Sequence, residues 1–289
     1  MQMFLTAQLL ENIVRFLCVS VFPLSALGAG QCGQRRQDLS HLTGGREAVS
    51  GGWPWQVRLG VRQNGGFISW ICGGSILSEK YVITAAHCLD SGPNAQYVVR
   101  IGDHDSSIFE RGQEDIPVVR YRIQEQYAQH NHFANDIAIL RLARPPTWGP
   151  RVSTVCLPGT NDDPSPGNTC YVTGWGLTGA GNSPYSNVLR QARVGIIARN
   201  ECRERSYWGY GVKNTNICAG YLEGKIDACK GDSGGPLVCL EERTGRWILE
   251  GLVSYGWDKG CGFPGKPAVY TRVASYLNWI SAVTGNTLT

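Results

Sequence analysis

Charged residues are scarce in this 289-residue chain. They make up 17% of it, and the 27 lysines and arginines outnumber the 23 aspartates and glutamates to give a net charge of only +4. So few charges, combined with 10% aromatic residues, exclude a disordered chain and a long coiled coil. The basic excess is also too small and too dispersed for nucleic acid, which requires clustered lysine and arginine. We therefore expect no nucleic-acid partner.

Helical periodicity is also scarce. It is clear only near the end, where Val273, Leu277 and Ile280 recur at helical spacing and Gly285 follows as a stop signal. In contrast, the 37 glycines imply many tight turns, and residues 55–59 alternate between apolar and polar side chains as strands do. We predict an all-β fold with a C-terminal helix.

A long apolar run occurs at the amino terminus. It extends from Phe16 to Ala29 behind Arg15 and is followed by small residues, which is typical of a secretory signal peptide. A membrane anchor is the alternative, but about fourteen helical residues fall short of the ~30 Å hydrocarbon core. We expect residues 1–30 to be removed, leaving a secreted, extracellular protein with no membrane partner.

Loss of this leader removes Cys18 and leaves an even number of cysteines. The remaining ten are Cys32, Cys72, Cys88, Cys156, Cys170, Cys202, Cys218, Cys229, Cys239 and Cys261. In an exported chain such a set indicates disulfides, and the absence of any CxxC pair argues against a zinc site. We expect neither a metal nor a cofactor, and the count alone leaves the pairing open.

The middle of the chain is rich in proline. Residues 144–168 contain Pro145, Pro146, Pro150, Pro158, Pro164 and Pro166. About 250 residues remain after the leader, enough for one large or two small β-domains. We predict two β-halves joined by this stretch.

Three short segments supply groups suited to nucleophilic catalysis. They are TAAHC with His87, NDIA with Asp136 and GDSGGP with Ser233. A serine hydroxyl attacks efficiently only when a base takes its proton, and a third group must hold that base in one tautomer. Glycines beside Ser233 allow the amides of Gly231 and Ser233 to face a developing oxyanion. Each segment alone is compatible with a structural role, but together they indicate an enzyme.

In this order the segments resemble the chymotrypsin-like serine peptidases. The resemblance extends from about Cys32 to the final helix. It implies two packed six-stranded antiparallel β-barrels, roughly residues 42–155 and 156–289, with the active site between them. Ser233 would then be the nucleophile, His87 the general base and acid, and Asp136 the group that orients the imidazole.

Further roles follow from the same resemblance. Gly231 and Ser233 would form the oxyanion hole, and Ser254 would hydrogen-bond the triad carboxylate and begin the strand that pairs with substrate. The implied disulfides are Cys32–Cys156, Cys72–Cys88, Cys170–Cys239, Cys202–Cys218 and Cys229–Cys261. Asp103 and Glu114 bracket a loop that binds calcium in some relatives, but its different length leaves that site undecided.

Asp227 matches the base of the specificity pocket in trypsin-like members. Desolvation of a carboxylate at the bottom of a narrow pocket costs free energy unless a cation pairs with it. Because Arg and Lys side chains supply that cation, we expect cleavage after Arg or Lys. Ala228 lacks the hydroxyl that would help to solvate a lysine ammonium, which favours Arg. Gly256 keeps the pocket entrance open, whereas the methyl group of Ala268 would narrow the pocket.

Other segments resemble the pancreatic elastase and chymotrypsin branch, namely residues 206–209, 212–214 and 217–220. Elastase- or chymotrypsin-type specificity is therefore one alternative. A catalytically silent secreted binding protein with the same fold is another. We favour a trypsin-like serine endopeptidase because pocket charge, rather than similarity of the frame, determines specificity.

Residues 31–41 are expected to be a propeptide. Members of this family are activated by a cut that frees an amino terminus, whose α-amine pairs with the carboxylate before the nucleophile. Here the new terminus would be Leu42 and the carboxylate Asp232. The cut would then follow His41, which calls for an activating protease of different specificity. Polypeptide substrates, protein inhibitors of proteases and a monomeric state are also expected.

Overall fold

The computed structural model describes residues 31–35, 45–92, 94–128, 130–131, 133–160, 162–179, 183–224 and 227–288. The predicted signal peptide lies outside these residues. So do His41 and Leu42, on which the predicted activation depends.

The described chain consists mainly of short strands. In chain order they are β1 (Arg46–Glu47), β2 (Gln56–Arg62), β3 (Ile68–Ile76), β4 (Tyr81–Thr84), β5 (Gln96–Ile101), β6 (Glu114–Ile123), β7 (Ala138–Leu142), β8 (Cys170–Gly174), β9 (Arg190–Ile197), β10 (Asn216–Gly220), β11 (Pro236–Glu241), β12 (Arg246–Tyr255) and β13 (Ala268–Arg272). The described residues also contain two α-helices, α1 (Arg199–Cys202) and α2 (Leu277–Thr284).

The strands form two closed antiparallel barrels. Around the first barrel the order is β2, β3, β4, β7, β6, β5, closed by pairing of β5 with β2. Around the second it is β8, β9, β10, β13, β12, β11, closed by pairing of β11 with β8. The predicted fold of two six-stranded barrels is confirmed.

Two segments that flank the barrel strands, β1 and α2, cross from one barrel to the other. The short strand β1 pairs with β9 of the second barrel, with Arg46 opposite Gln191. At the other end α2 reaches the first barrel, where the Trp279 indole donates a hydrogen bond to Glu125. The strands of the first barrel, β2 to β7, all precede residue 155 and those of the second, β8 to β13, all follow it, whereas β1 and α2 each contact the other barrel.

The predicted C-terminal helix is also present. A turn of 3-10 helix over Val273–Tyr276 leads directly into α2. The helix ends at Gly285, whose left-handed conformation (φ 67°) is one that glycine adopts without steric cost. Ile280 is buried, as the apolar spacing predicted.

A shared hydrophobic cluster holds the barrels together. It contains Ile83 and Ile139 from the first barrel and Tyr171 and Leu249 from the second. Removal of this apolar surface from water stabilises one arrangement of the two barrels. Polar groups carried by either barrel can therefore meet at fixed distances in the cleft between them.

Five disulfides cross-link the fold. The pairs are Cys32–Cys156, Cys72–Cys88, Cys170–Cys239, Cys202–Cys218 and Cys229–Cys261. They are the pairs that the family resemblance implies. The first pair joins the predicted propeptide to the segment between the barrels, and the last lies beside the predicted specificity pocket.

Candidate active site

The first barrel brings His87 and Asp136 together through strand register. Antiparallel β4 and β7 place Thr84 opposite Ala138. His87 follows Thr84 by three residues and Asp136 precedes Ala138 by two, so both lie at the same end of this strand pair. His87 Nδ1 lies 2.7 Å from Asp136 Oδ2, and the His87 backbone amide donates to Oδ1 at 2.9 Å. A carboxylate at Nδ1 holds the proton there, which leaves Nε2 as the nitrogen that can accept another.

Ser233 comes from the second barrel, three residues before β11. Its carbonyl accepts a hydrogen bond from the Gly73 amide of β3 at 2.8 Å. The next residue, Gly234, has a φ of 72°, and a Cβ there would collide with the Thr84 hydroxyl and lie 2.9 Å from the Ala85 amide. Only glycine allows this turn to press against the segment that carries the imidazole.

The turn that precedes Ser233 has free backbone donors. Gly231 has a φ of 96°, and a Cβ at this position would lie 2.8 Å from Cε1 of Tyr185. Within the described chain, neither the Gly231 nor the Ser233 amide donates to a backbone carbonyl. Two unengaged amides with one residue between them are suited to receive an oxyanion.

Asp136 is fully buried and is surrounded by donors from both barrels. Besides the two His87 nitrogens, the Ser254 hydroxyl donates to its Oδ2 at 2.6 Å. The Thr271 hydroxyl donates to the Asp136 backbone carbonyl at 2.8 Å, and the Tyr276 hydroxyl donates to the side chain of Asn135 at 2.9 Å. Hydrogen bonds therefore fix the Asp136 carboxylate, the Asp136 backbone and the preceding residue.

Asp227 is the residue predicted to form the base of the specificity pocket. Its Oδ1 accepts hydrogen bonds from the amides of Ala228 at 2.9 Å and Ala268 at 3.1 Å, and its Oδ2 accepts one from Gly262 at 3.3 Å. Burial raises the pKa of Asp227 to about 7 despite these hydrogen bonds. At Gly256, a Cβ would meet no atom within 4 Å, so the strand end beside the cleft is open.

Asp232 lines a cavity of about 370 Å³ beside the pocket, together with Gly45, Asp227 and the Cys229–Cys261 disulfide. Its carboxylate accepts hydrogen bonds from the amides of Gly176 at 2.8 Å and Cys229 at 2.9 Å. Desolvation of its carboxylate raises the pKa of Asp232 to about 6. Gly45 is the first described residue after the predicted activation point, and it borders this cavity.

The two acids of the undecided calcium loop both bind arginine. Asp103 pairs with Arg58 at 3.5 Å, and Glu114 pairs with Arg144. Among the described residues, the one cluster with metal-ligand spacing is Cys72, His87 and Cys88, and its two cysteines are joined in a disulfide. Its sulfurs are therefore not thiolates that could bind a metal.

Several residues near the site were not found by sequence analysis. Phe133 adopts a φ of 49°, and its ring lies 5.5 Å from the His87 ring and 6.0 Å from the Tyr255 ring. Tyr185 packs over Gly231. No local motif marks these side chains, because their contacts join residues that are distant in sequence.

The chain is similar to known proteins over most of its length. The family described as Trypsin matches residues 42–280. Transmembrane protease serine 11G of Rattus norvegicus is 38% identical over 248 residues, which cover 85% of this chain and 56% of that protein. The chain thus spans little more than half the length of this relative. Among the described residues, no helix combines the length and apolar character needed to cross a bilayer.

Proposed function

We propose that this chain, which belongs to the trypsin family, is a serine endopeptidase that cleaves polypeptides after arginine. The observation that carries the proposal is the convergence of His87, Asp136 and the Ser233 turn from two barrels at one cleft. His87 Nδ1 lies 2.7 Å from the Asp136 carboxylate, and Gly234 packs against the segment that leads to His87. Family membership makes a hydrolytic role for this arrangement the simplest explanation.

In the proposed reaction Ser233 Oγ attacks the carbonyl carbon of the scissile bond. His87 Nε2 takes the hydroxyl proton and then delivers it to the leaving amine. Asp136 stabilises the imidazolium through the hydrogen bond at Nδ1, and the amides of Gly231 and Ser233 stabilise the oxyanion. Water activated by His87 then hydrolyses the acyl-enzyme and regenerates Ser233.

Specificity for a basic side chain rests on Asp227. Without a cation its negative charge is disfavoured, since burial raises the pKa to about 7. A guanidinium or ammonium in the pocket would pair with this charge and favour the ionised form. The bound substrate therefore supplies the cation that pairs with Asp227.

Arginine is preferred to lysine because of Ala228. The residue is buried next to Asp227 and carries no side-chain oxygen. A lysine ammonium would lose a hydration shell without regaining a hydroxyl partner, whereas a guanidinium can bridge both carboxylate oxygens.

Activation is proposed to follow cleavage after His41. The amine of Leu42 would enter the cavity beside Asp232 and pair with its buried carboxylate. Gly45 already borders this cavity, and the three Cα–Cα steps from Gly45 back to Leu42 can span up to about 10 Å. The new ion pair would hold the amino-terminal segment against the loop that carries Asp232 and Ser233.

An extracellular location is proposed from the disulfides, which persist in oxidising compartments. The signal peptide at residues 1–30 remains a prediction, and amino-terminal sequencing of protein released from cells would test it. We expect the enzyme to be a monomer. Its expected partners are protein inhibitors of proteases and a separate activating protease.

The proposal is tested by turnover of matched peptide amides that end in Arg, Lys, Tyr or Ala. The enzyme should begin at Leu42, and Ser233→Ala serves as the control. We expect cleavage after Arg to be fastest, by about 10-fold over Lys, because one hydrogen bond to a charged group is worth ~1.5 kcal/mol. Equal rates for Arg and Lys would refute the role of Ala228. Preference for Tyr or Ala would favour the elastase-like alternative, and no turnover at all would favour a binding protein.

A further inference from the structure

A second cavity shares no residue with the candidate active site. It has a volume of about 370 Å³ and lies where α2 meets the outer face of β4, β6 and β7. Three arginines line it, Arg120 and Arg122 from β6 and Arg141 from β7, together with Tyr81 and Trp279. We call these five residues the arginine groove.

Strand register collects the three charges on one surface. Arg120 and Arg122 are two positions apart in β6 and therefore point to the same face of the sheet. Arg141 is the direct cross-strand partner of Arg120 in the antiparallel pair of β6 and β7. All three residues are exposed. Like charges directly opposite each other destabilise a sheet, so this placement is unfavourable to the fold itself.

The protein supplies little charge to offset them. Within the described ranges, none of the three arginines belongs to an ion pair, although eight other arginines do. Those eight are Arg58, Arg100, Arg144, Arg151, Arg199, Arg243, Arg246 and Arg272. Among the described residues, Glu125 is the one acidic side chain that lines the same cavity, and it accepts a hydrogen bond from Trp279 Nε1 at 2.9 Å. The groove therefore presents an excess of positive charge beside an aromatic surface.

We propose that the arginine groove binds an extended acidic segment of a partner polypeptide. Arg120 and Arg122 are spaced like alternate residues of a strand, roughly 6.6 Å apart. Carboxylates at alternate positions of an extended peptide have the same spacing and can each pair with one guanidinium. Arg141 widens the charged surface, and the Trp279 ring offers an apolar contact for a side chain between the acids. This inference does not depend on the proposed protease activity.

The test measures binding of a fluorescein-labelled peptide of alternating aspartate and alanine by fluorescence anisotropy. The variant Arg120→Gln/Arg122→Gln/Arg141→Gln should lower the affinity at least 10-fold and reduce its dependence on salt. The charge-matched control Arg62→Gln/Arg111→Gln/Arg193→Gln removes three other exposed arginines and should change affinity less than 2-fold. An equal loss in both variants would overturn the proposal, since binding would then follow net charge alone.

Two further comparisons identify the partner class. A peptide with the same composition but contiguous aspartates should bind at least 3-fold more weakly than the alternating one. If a heparin oligosaccharide or an anionic lipid vesicle binds in a groove-dependent manner while the alternating peptide does not, the assignment to a polypeptide is wrong. All of these measurements work equally well on a catalytically inactive chain, so they remain informative if the proposed protease activity fails.

Thermal unfolding separates a binding role from a structural one. The triple variant should unfold at the same temperature as the parent or a higher one, because the repulsion between Arg120 and Arg141 is gone. A lower unfolding temperature would show that the arginines serve the fold, and it would overturn the proposal.

Discussion

Asp136 and Asp227 are both withdrawn from solvent at one cleft, but their surroundings differ. Asp136 accepts hydrogen bonds from the His87 backbone amide, the His87 imidazole and the Ser254 hydroxyl. Asp227 accepts hydrogen bonds from three backbone amides, and its pKa is nevertheless raised to about 7 by burial. The first carboxylate is provided with side-chain partners by the fold, whereas the second has none among the described residues.

This difference matches the two tasks proposed for them. A group that orients a base must hold one position before substrate arrives, which favours a complete set of partners from the protein. A carboxylate that selects a cationic substrate discriminates most strongly if the free protein offers it no other cation. Substitutions of Asp136 and of Asp227 should therefore change different properties, the rate of turnover and the choice of substrate, respectively.

The largest effect is expected from Asp136→Asn. The amide cannot hold the proton of His87 on Nδ1 as a carboxylate does, so kcat for an Arg amide should fall by about 10⁴-fold. KM should change little, because the pocket is untouched. The matched control is Asp115→Asn, another aspartate in a close charged pair, which should leave kcat unchanged. A loss below 10-fold at Asp136 would contradict the orienting role.

A smaller and more selective effect is expected from Asp227→Ser. Removing one partner of a desolvated charge pair costs ~4 kcal/mol, or about 10³-fold in kcat/KM for an Arg amide. Turnover of Tyr and Ala amides should fall less than 10-fold, since neither places a charge in the pocket. A uniform loss on all four amides would mean that Asp227 supports the structure of the site instead of its specificity.

The smallest effect is on stability and depends on pH. A raised pKa means that the folded state favours protonated Asp227, so this contribution to stability is complete below about pH 4 and is lost as pH rises through about 7. Asp227→Asn removes the buried charge but turns an NH₂ group toward one of the backbone amides. The free energy of unfolding at pH 8 should rise by ~2 kcal/mol. Near pH 4 the sign should reverse, and the variant should be less stable than the parent by about 2 kcal/mol, because the cost of the NH₂ group remains while Asp227 of the parent is protonated. Chemical denaturation at both pH values measures it, and a variant that is less stable at pH 8 would contradict the argument.

The sequence predicted much of the fold through local signals. Alternation at residues 55–59 indicated a strand that exists as part of β2, and the spacing of Val273, Leu277 and Ile280 indicated the terminal helix. These patterns are readable because burial of one face imposes a period on the chain. The crossing of β1 and α2 between barrels could not be predicted in this way, because it depends on which surface each terminal segment meets.

For the candidate site, the residue types were visible in the sequence but their environments were not. The chemistry of imidazole, carboxylate and hydroxyl singled out His87, Asp136 and Ser233, and family resemblance suggested Ser254 and Asp227. The packing of Phe133 and Tyr185 beside them had no local signal.

By itself, the sequence determined the composition of the molecule: short strands, an even set of cysteines after the expected leader, and three segments with complementary chemistry. The tertiary structure alone decided that, among the described residues, Asp136 has side-chain partners and Asp227 has none, and that Arg120 faces Arg141 with no ion pair to either. The reason is physical. Desolvation, hydrogen-bond geometry and charge proximity depend on distances between residues far apart in the chain, and those distances exist only once both barrels have closed.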